Sequence, residues 1–185
     1  MSSTPSPTDA VLETPRLLLQ QWRPEDWSAF KPIATNPEVM RYINGGIPWS
    51  DERIRDFVSR QIALYQERGH CRWKLTGKTS GALCGFCGVG RFHEFPDPEI
   101  GWWLAPNYWG NGFATEAARA ALDDAFRRVA IPRIVSIAHR ENSASIRIMQ
   151  KLGLAFEADF ENEGLPLRRY AIHLPAYLAT RSRTS

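Results

Sequence analysis

Two hydrophobic periods alternate along the chain, and their order predicts its architecture. Apolar runs at residues 16–22, 71–76, 82–92, 99–104, 133–138, 155–162 and 167–174 read as strands, several of them bounded by glycine or proline. Between them, apolar residues three and four apart mark helices. Ile54, Phe57, Val58, Ile62 and Tyr65 make one stripe, with Ser50 as its N-cap and Gly69 at its end. Ala118, Ala121, Leu122, Ala125, Phe126 and Val129 make another over residues 114–129, stopped by Ile131-Pro132. A third helix starts at Asn142 or Ser143 and runs to Leu152, ahead of Gly153. Shorter helices are expected over 26–34 and from the Asn36-Pro37 cap to Tyr42. Residues 77–81 and Gly164 turn two hairpins. Strands outnumber helices, and helices interrupt them at intervals, which indicates a mixed sheet flanked by helices.

The segment between the 99–104 strand and the 114–129 helix carries the chemistry. It reads Tyr108-Trp109-Gly110-Asn111-Gly112-Phe113-Ala114-Thr115-Glu116. A strand, a loop of small residues and a helix start, in that order, let the main chain approach a phosphate. The helix's first free N–H groups then point at the anion, with the positive end of the dipole behind them. A connecting turn that needs flexible residues would share the Gly-x-Gly spacing. A P-loop requires Gly-Lys-Ser/Thr, and no lysine follows Gly112. A dinucleotide fingerprint requires a small residue where Thr115 stands and an acid about twenty residues on. Asp123 and Asp124 come too early, inside the helix.

The loop resembles the acetyl-CoA pyrophosphate loop of the GCN5-related N-acetyltransferase (GNAT) superfamily, Gln/Arg-x-x-Gly-x-Gly/Ala, with Gly112 and Ala114 as its last small residues. Trp109 stands where the pattern has glutamine or arginine, which shifts the burden to main-chain N–H groups. Glu99-Ile100-Gly101-Trp102-Trp103-Leu104 is similar to a strand of the RimJ/RimL-like branch. The segment from Asn142 to Leu154, with Ser145 and Lys151-Leu152-Gly153, and the opening Leu12-Glu13-Thr14-Pro15-Arg16-Leu17 resemble that branch too. The resemblance spans about residues 12–174. It implies an α/β (α+β) fold with a mixed, mostly antiparallel sheet, splayed between its fourth and fifth strands and flanked by helices. It also implies acetyl-CoA as cosubstrate, with no metal, and acetyl transfer to a primary amine by direct attack on the thioester.

Site residues follow from the same resemblance. The expected cofactor contacts are main-chain N–H groups of Trp103 and Leu104, the loop residues Trp109, Gly110, Asn111, Gly112, Phe113, Ala114 and Thr115, and the side chains of Asn142 and Ser145. Glu99 is the expected base, through water, since a free carboxylate titrates near ~4.3. His93 and Glu94 are the alternative pair. Met149 stands where many members place the tyrosine that protonates the thiolate, which leaves Ser145, through water, for that task, or a thiolate that departs unassisted. The acceptor, a protein N-terminus or a small-molecule amine, is expected between the 44–49 loop and the 162–166 hairpin tip. Neither carries an acid cluster suited to a polycation. The alternative is a non-catalytic acyl-CoA-binding or sensor protein, which would keep the loop and lose the acid–base pair.

Length suits one domain, expected over 11–178, with a disordered lead-in over 1–10 and a flexible tail over 179–185. The net charge of +3 is small and dispersed, which argues against nucleic acid as a partner. No apolar run approaches a membrane span and no secretory signal opens the chain, so a cytoplasmic monomer or homodimer is expected. Three cysteines make no disulfide framework. Cys84 and Cys87, three apart in an extended run, should point to opposite faces. Phe126, Phe156 and Phe160 are expected in the core, while Trp49, Trp102, Trp103 and Trp109 are open to either use.

Overall fold

The structure, a computed structural model, describes residues 10–91 and 95–181. Its eight strands are β1 (Ala10–Glu13), β2 (Leu17–Gln20), β3 (Arg72–Gly77), β4 (Leu83–Arg91), β5 (Pro98–Leu104), β6 (Arg133–His139), β7 (Ala155–Asn162) and β8 (Leu165–His173). They form one sheet in the order β1-β2-β3-β4-β5-β6-β8-β7. Every neighbouring pair is antiparallel except β5–β6.

The helices are α1 (Trp27–Ala34), α2 (Pro37–Met40), α3 (Asp51–Arg68), α4 (Phe113–Arg127), α5 (Ser143–Lys151) and α6 (Leu174–Arg181). Their ends follow the expected chemistry. Asn36 accepts from the N–H groups of Glu38 and Val39, Ser50 from that of Arg53, and Gly69 closes α3 in the left-handed region at φ 69°. The alanine stripe of α4 packs with Cys87, Val89 and Ile100 in one apolar cluster, alongside Met149 of α5 and Tyr177 of α6. Phe30 of α1, Ile54, Phe57 and Val58 of α3, and Phe86 of β4 form a second. Residues 86 and 87 of one strand thus serve different clusters, as alternation requires.

Five details depart from the sequence expectations. β1 precedes the first expected strand and pairs with β2. α6 begins at Leu174, because Pro175 cannot donate to a ladder yet fits a helix's first turn. A bulge at the start of β4, where Gly85 faces Leu75 but Leu83 faces Thr76, shifts the strand's alternation. Cys84 and Cys87 therefore share one cluster instead of pointing apart. Both thiols are free, and burial pushes the Cys84 thiol up to about 12 and that of Cys87 higher still. Phe126 is buried, but Phe156 lies on an edge strand, 56 % exposed beneath Arg168, and Phe160 is half-buried. Residues 1–9, 92–94 and 182–185, and with them His93 and Glu94, lie outside the described residues.

The β5–β6 junction positions the site. Only Glu99 and Val135 pair across it, whereas β6 pairs with β8 along its whole length. One residue on, the buried Ser136 hydroxyl donates to the Ile100 carbonyl at 2.9 Å, and beyond it the strands part. These are the fourth and fifth strands of the sequence reading, where the splay was expected. Removing that hydroxyl leaves a buried carbonyl short of a partner, which typically costs about 1–3 kcal/mol. Ser136→Ala should therefore unfold at lower urea concentration, with an unchanged m-value; an unaltered midpoint would show that the bond does not hold the junction.

Candidate active site

The loop before α4 is an open cradle. Gly110 and Gly112 hold φ of 75° and 79°, where a side chain is strained. Room is not what selects glycine here: a Cβ on Gly110 would meet nothing within 4 Å, and one on Gly112 only Arg16 Nη2 at 3.6 Å. Gly112 is the N-cap of α4 and has no side chain to cap it, so the first-turn N–H groups of α4 keep no side-chain cap. Trp109 to Gly112 are exposed. The Trp109 indole donates to the Leu104 carbonyl at 2.8 Å, which ties the loop to the end of β5.

Arg16, from the turn between β1 and β2, fastens the other side. Its Nη1 donates to the Asn111 carbonyl at 2.8 Å, its Nε to Glu116 at 2.6 Å, and its guanidinium lies 4.1 Å over the Phe113 ring. Thr14 Oγ1 and the Arg16 N–H also donate to Glu116. Burial alone would raise the Glu116 pKa, but these donors outweigh it and hold the carboxyl below its ordinary 4.5. A cation therefore stands at the cradle, although position 109 carries none.

From the junction a cavity of about 740 Å³ runs toward α3. Ile100 turns its carbonyl to β6 and Ala105 its N–H to β4. Alternation then directs the main-chain groups of Trp102 and Leu104 to the opening, and those of Glu99, Gly101 and Trp103 to the β4 ladder. Trp103 lines the cavity with its ring, 4.6 Å from that of Trp49. Asn142, Ser145 and Met149 line it from α5. Asn142 caps that helix by accepting from the Ser145 N–H at 3.1 Å. Asn44 and Trp49 from one expected wall, and Asn162, Glu163 and Leu165 from the other, complete it.

Glu99 is 3 % exposed rather than a surface acid. Its Oε2 accepts from Arg72 Nη2, a guanidinium from β3 that also reaches the Arg91 carbonyl. Two glycines make the space: a Cβ on Gly90 would stand 3.3 Å from Arg72 Nε, and one on Gly101 the same distance from both Glu99 oxygens. Sequence reasoning missed Arg72, because no local pattern marks a cation that arrives from two strands away. It also missed Tyr42, which stacks on His139 at 5.4 Å within the same cavity. Arg16 was legible only as part of the opening segment, without a role.

Over residues 16–155 the sequence matches the family described as Acetyltransferase (GNAT) domain. The chain belongs to that family. This GNAT protein is 32 % identical to the uncharacterized N-acetyltransferase YoaA of Bacillus subtilis, over 86 % of this chain and 87 % of that one. It is 28 % identical to the spermidine N(1)-acetyltransferase of Escherichia coli, over 75 % and 73 %. A crystal structure of a GNAT acetyltransferase from Bacillus anthracis superposes with a TM-score of 0.75 at 28 % identity, covering 89 % of this chain and 98 % of that one. The sheet and its splay are those of the family, whose members use acetyl-CoA, and the chain is an N-acetyltransferase.

Two outcomes test the cradle. Gly112→Glu places a carboxylate and a strained residue at the helix start where a phosphate is expected, and should raise the dissociation constant for acetyl-CoA about a hundredfold or more. Calorimetry showing unchanged affinity would remove the assignment. A carboxyl whose folded pKa is lowered contributes stability above its ordinary value and loses it as pH falls through the folded value. Glu116→Gln should therefore be less stable than wild type at neutral pH, with the gap closing below about pH 4.5, as urea titrations at several pH values would show.

Proposed function

We propose that this protein moves the acetyl group of acetyl-CoA onto a primary amine, of a protein N-terminus or a small molecule, by direct attack on the thioester. The observation that supports it best is a single cavity that joins the β5–β6 opening to a buried carboxylate. Acetyl-CoA supplies the activated acetyl group. Its diphosphate fits the N–H groups of Phe113, Ala114 and Thr115, with Arg16 alongside. Its pantetheine arm fits the main-chain edge of Trp102 and the Leu104 N–H, with Asn142 and Ser145 opposite. Trp109 and Asn111 hold the loop in shape, and Trp103 contributes its ring.

The reaction balances simply. The amine nitrogen forms the new C–N bond, the C–S bond breaks, and its electron pair leaves with sulfur as the nitrogen sheds a proton. Glu99 takes that proton, through water, because its carboxylate faces the acceptor end. Arg72 orients the carboxylate and offsets its burial. Main-chain N–H groups at the opening stabilise the developing oxyanion, commonly the largest catalytic contribution. Met149 has no proton to give, so Ser145 serves the leaving thiolate.

Replacing Glu99 by glutamine removes the base and keeps the shape. Glu99→Gln should lower kcat by roughly a hundredfold or more, the usual span for one acid–base group, and leave acetyl-CoA affinity near wild type. Wild-type turnover across pH would move the base elsewhere. Acetyl-CoA binding with no thiol release across a broad amine panel would favour a sensor instead.

A further inference from the structure

The charged groups at the acceptor end of the cavity are mostly cationic donors. The α3 face that lines it carries Arg53, Phe57, Arg60, Gln61 and Leu64, spaced 0, 4, 7, 8 and 11 along one side of the helix. Arg53 lies 4.9 Å over the Trp49 ring, and its Nη1 donates to Asn44 Oδ1 at 3.1 Å. Neither Arg53 nor Arg60 has an acidic partner among the described residues. The cavity's buried acid, Glu99, is already matched by Arg72, leaving Glu163, at the far hairpin tip, as its one other acid among the described residues.

Two further donors are idle. Trp49 Nε1 and Arg72 Nε are buried, and no acceptor meets them. Both residues line the cavity. A buried N–H without a partner costs free energy that a bound acceptor atom would recover. Around them stand the rings of Phe57, Phe86, Trp49 and Trp103. Such a surface repels a polycation and suits an anion on an apolar body.

We infer that the acceptor is a small primary amine that carries a carboxylate on an apolar or aromatic body, an amino-acid-like molecule. Its amine lies within one water of Glu99, and its carboxylate is held by Arg53, Arg60 and the idle indole and guanidinium N–H groups. This rests on the transferase reading and narrows its acceptor. The similarity to a spermidine enzyme concerns the shared scaffold, whereas the charges here are opposite to what a polyamine needs. The bond changes are those given above, with the carboxylate unaltered.

The test is thiol release from acetyl-CoA with a panel of amino acids, the amide of each, the matching amines that lack the carboxyl, and spermidine. The best amino acid should exceed its own amide in kcat/KM by about tenfold or more, the scale of one charge-assisted hydrogen bond. That advantage should shrink in Arg53→Gln and in Arg60→Gln, with acetyl-CoA affinity unchanged by calorimetry. Amides or carboxyl-free amines that match the amino acids, or spermidine as the best acceptor, would overturn the inference and leave the transferase reading standing. If acetyl-CoA binds and no amine releases thiol, the transferase reading fails instead. Calorimetry of the same panel on the CoA-loaded protein then decides: tighter binding of amino acids than of their amides upholds the carboxylate site, and equal binding refutes it.

Discussion

The molecule is organised around a ladder that stops. β5 and β6 pair at Glu99 and Val135, the Ser136 hydroxyl closes one more contact, and the sheet then opens. Main-chain N–H and C=O groups in a sheet interior are costly to leave unmatched. The opening therefore keeps polar backbone at Trp102 facing a cavity rather than a neighbouring strand, while the Leu104 carbonyl is taken by the Trp109 indole. Everything else holds that gap in place: α4 and its alanine stripe brace one face, α1 and α3 brace the other, and β8 pins β6 from the far side.

Charge is distributed along the gap with equal economy. At the cradle, Arg16 ties the β1–β2 turn, the loop carbonyl of Asn111 and the Glu116 carboxylate together, so that a cation and free helix N–H groups lie side by side. Deeper in, Arg72 and Glu99 share a pocket floored by Gly90 and Gly101. A buried ion pair is weak support for stability, because desolvation offsets much of the attraction. Its retention inside a cavity fits a chemical duty better than a structural one. The exposed guanidiniums of α3 then add positive charge at the far end of the cavity.

The sequence carried most of the fold. Periodicity placed seven of the eight strands and the principal helices, and turn chemistry at Asn36, Ser50, Gly69 and Asn142 placed helix ends. β1 escaped because it follows directly on the Ser/Thr/Pro-rich opening residues, and α6 because the apolar run of β8 continues into it without a break. The cradle was legible since its signal is local: two glycines ahead of a helix. Glu99 was legible as a strand-start acid, but its burial and its partner were not. Arg72 reaches it across β4, and the glycines that admit the pair sit on β4 and further along β5, a juxtaposition that only the sheet register creates. Cys84 and Cys87 misled for a related reason: one bulged residue inverts the alternation on which facing arguments rest.

The central claim is that the open edge of β5 and the first turn of α4 together grip the cofactor. Amide hydrogen exchange with and without acetyl-CoA tests it most directly. The account predicts strong added protection at Trp102 and Leu104 and at Phe113 to Thr115, with β1, β2 and β7 unchanged. Protection that appears elsewhere, with these amides exchanging as fast as in the free protein, would contradict it.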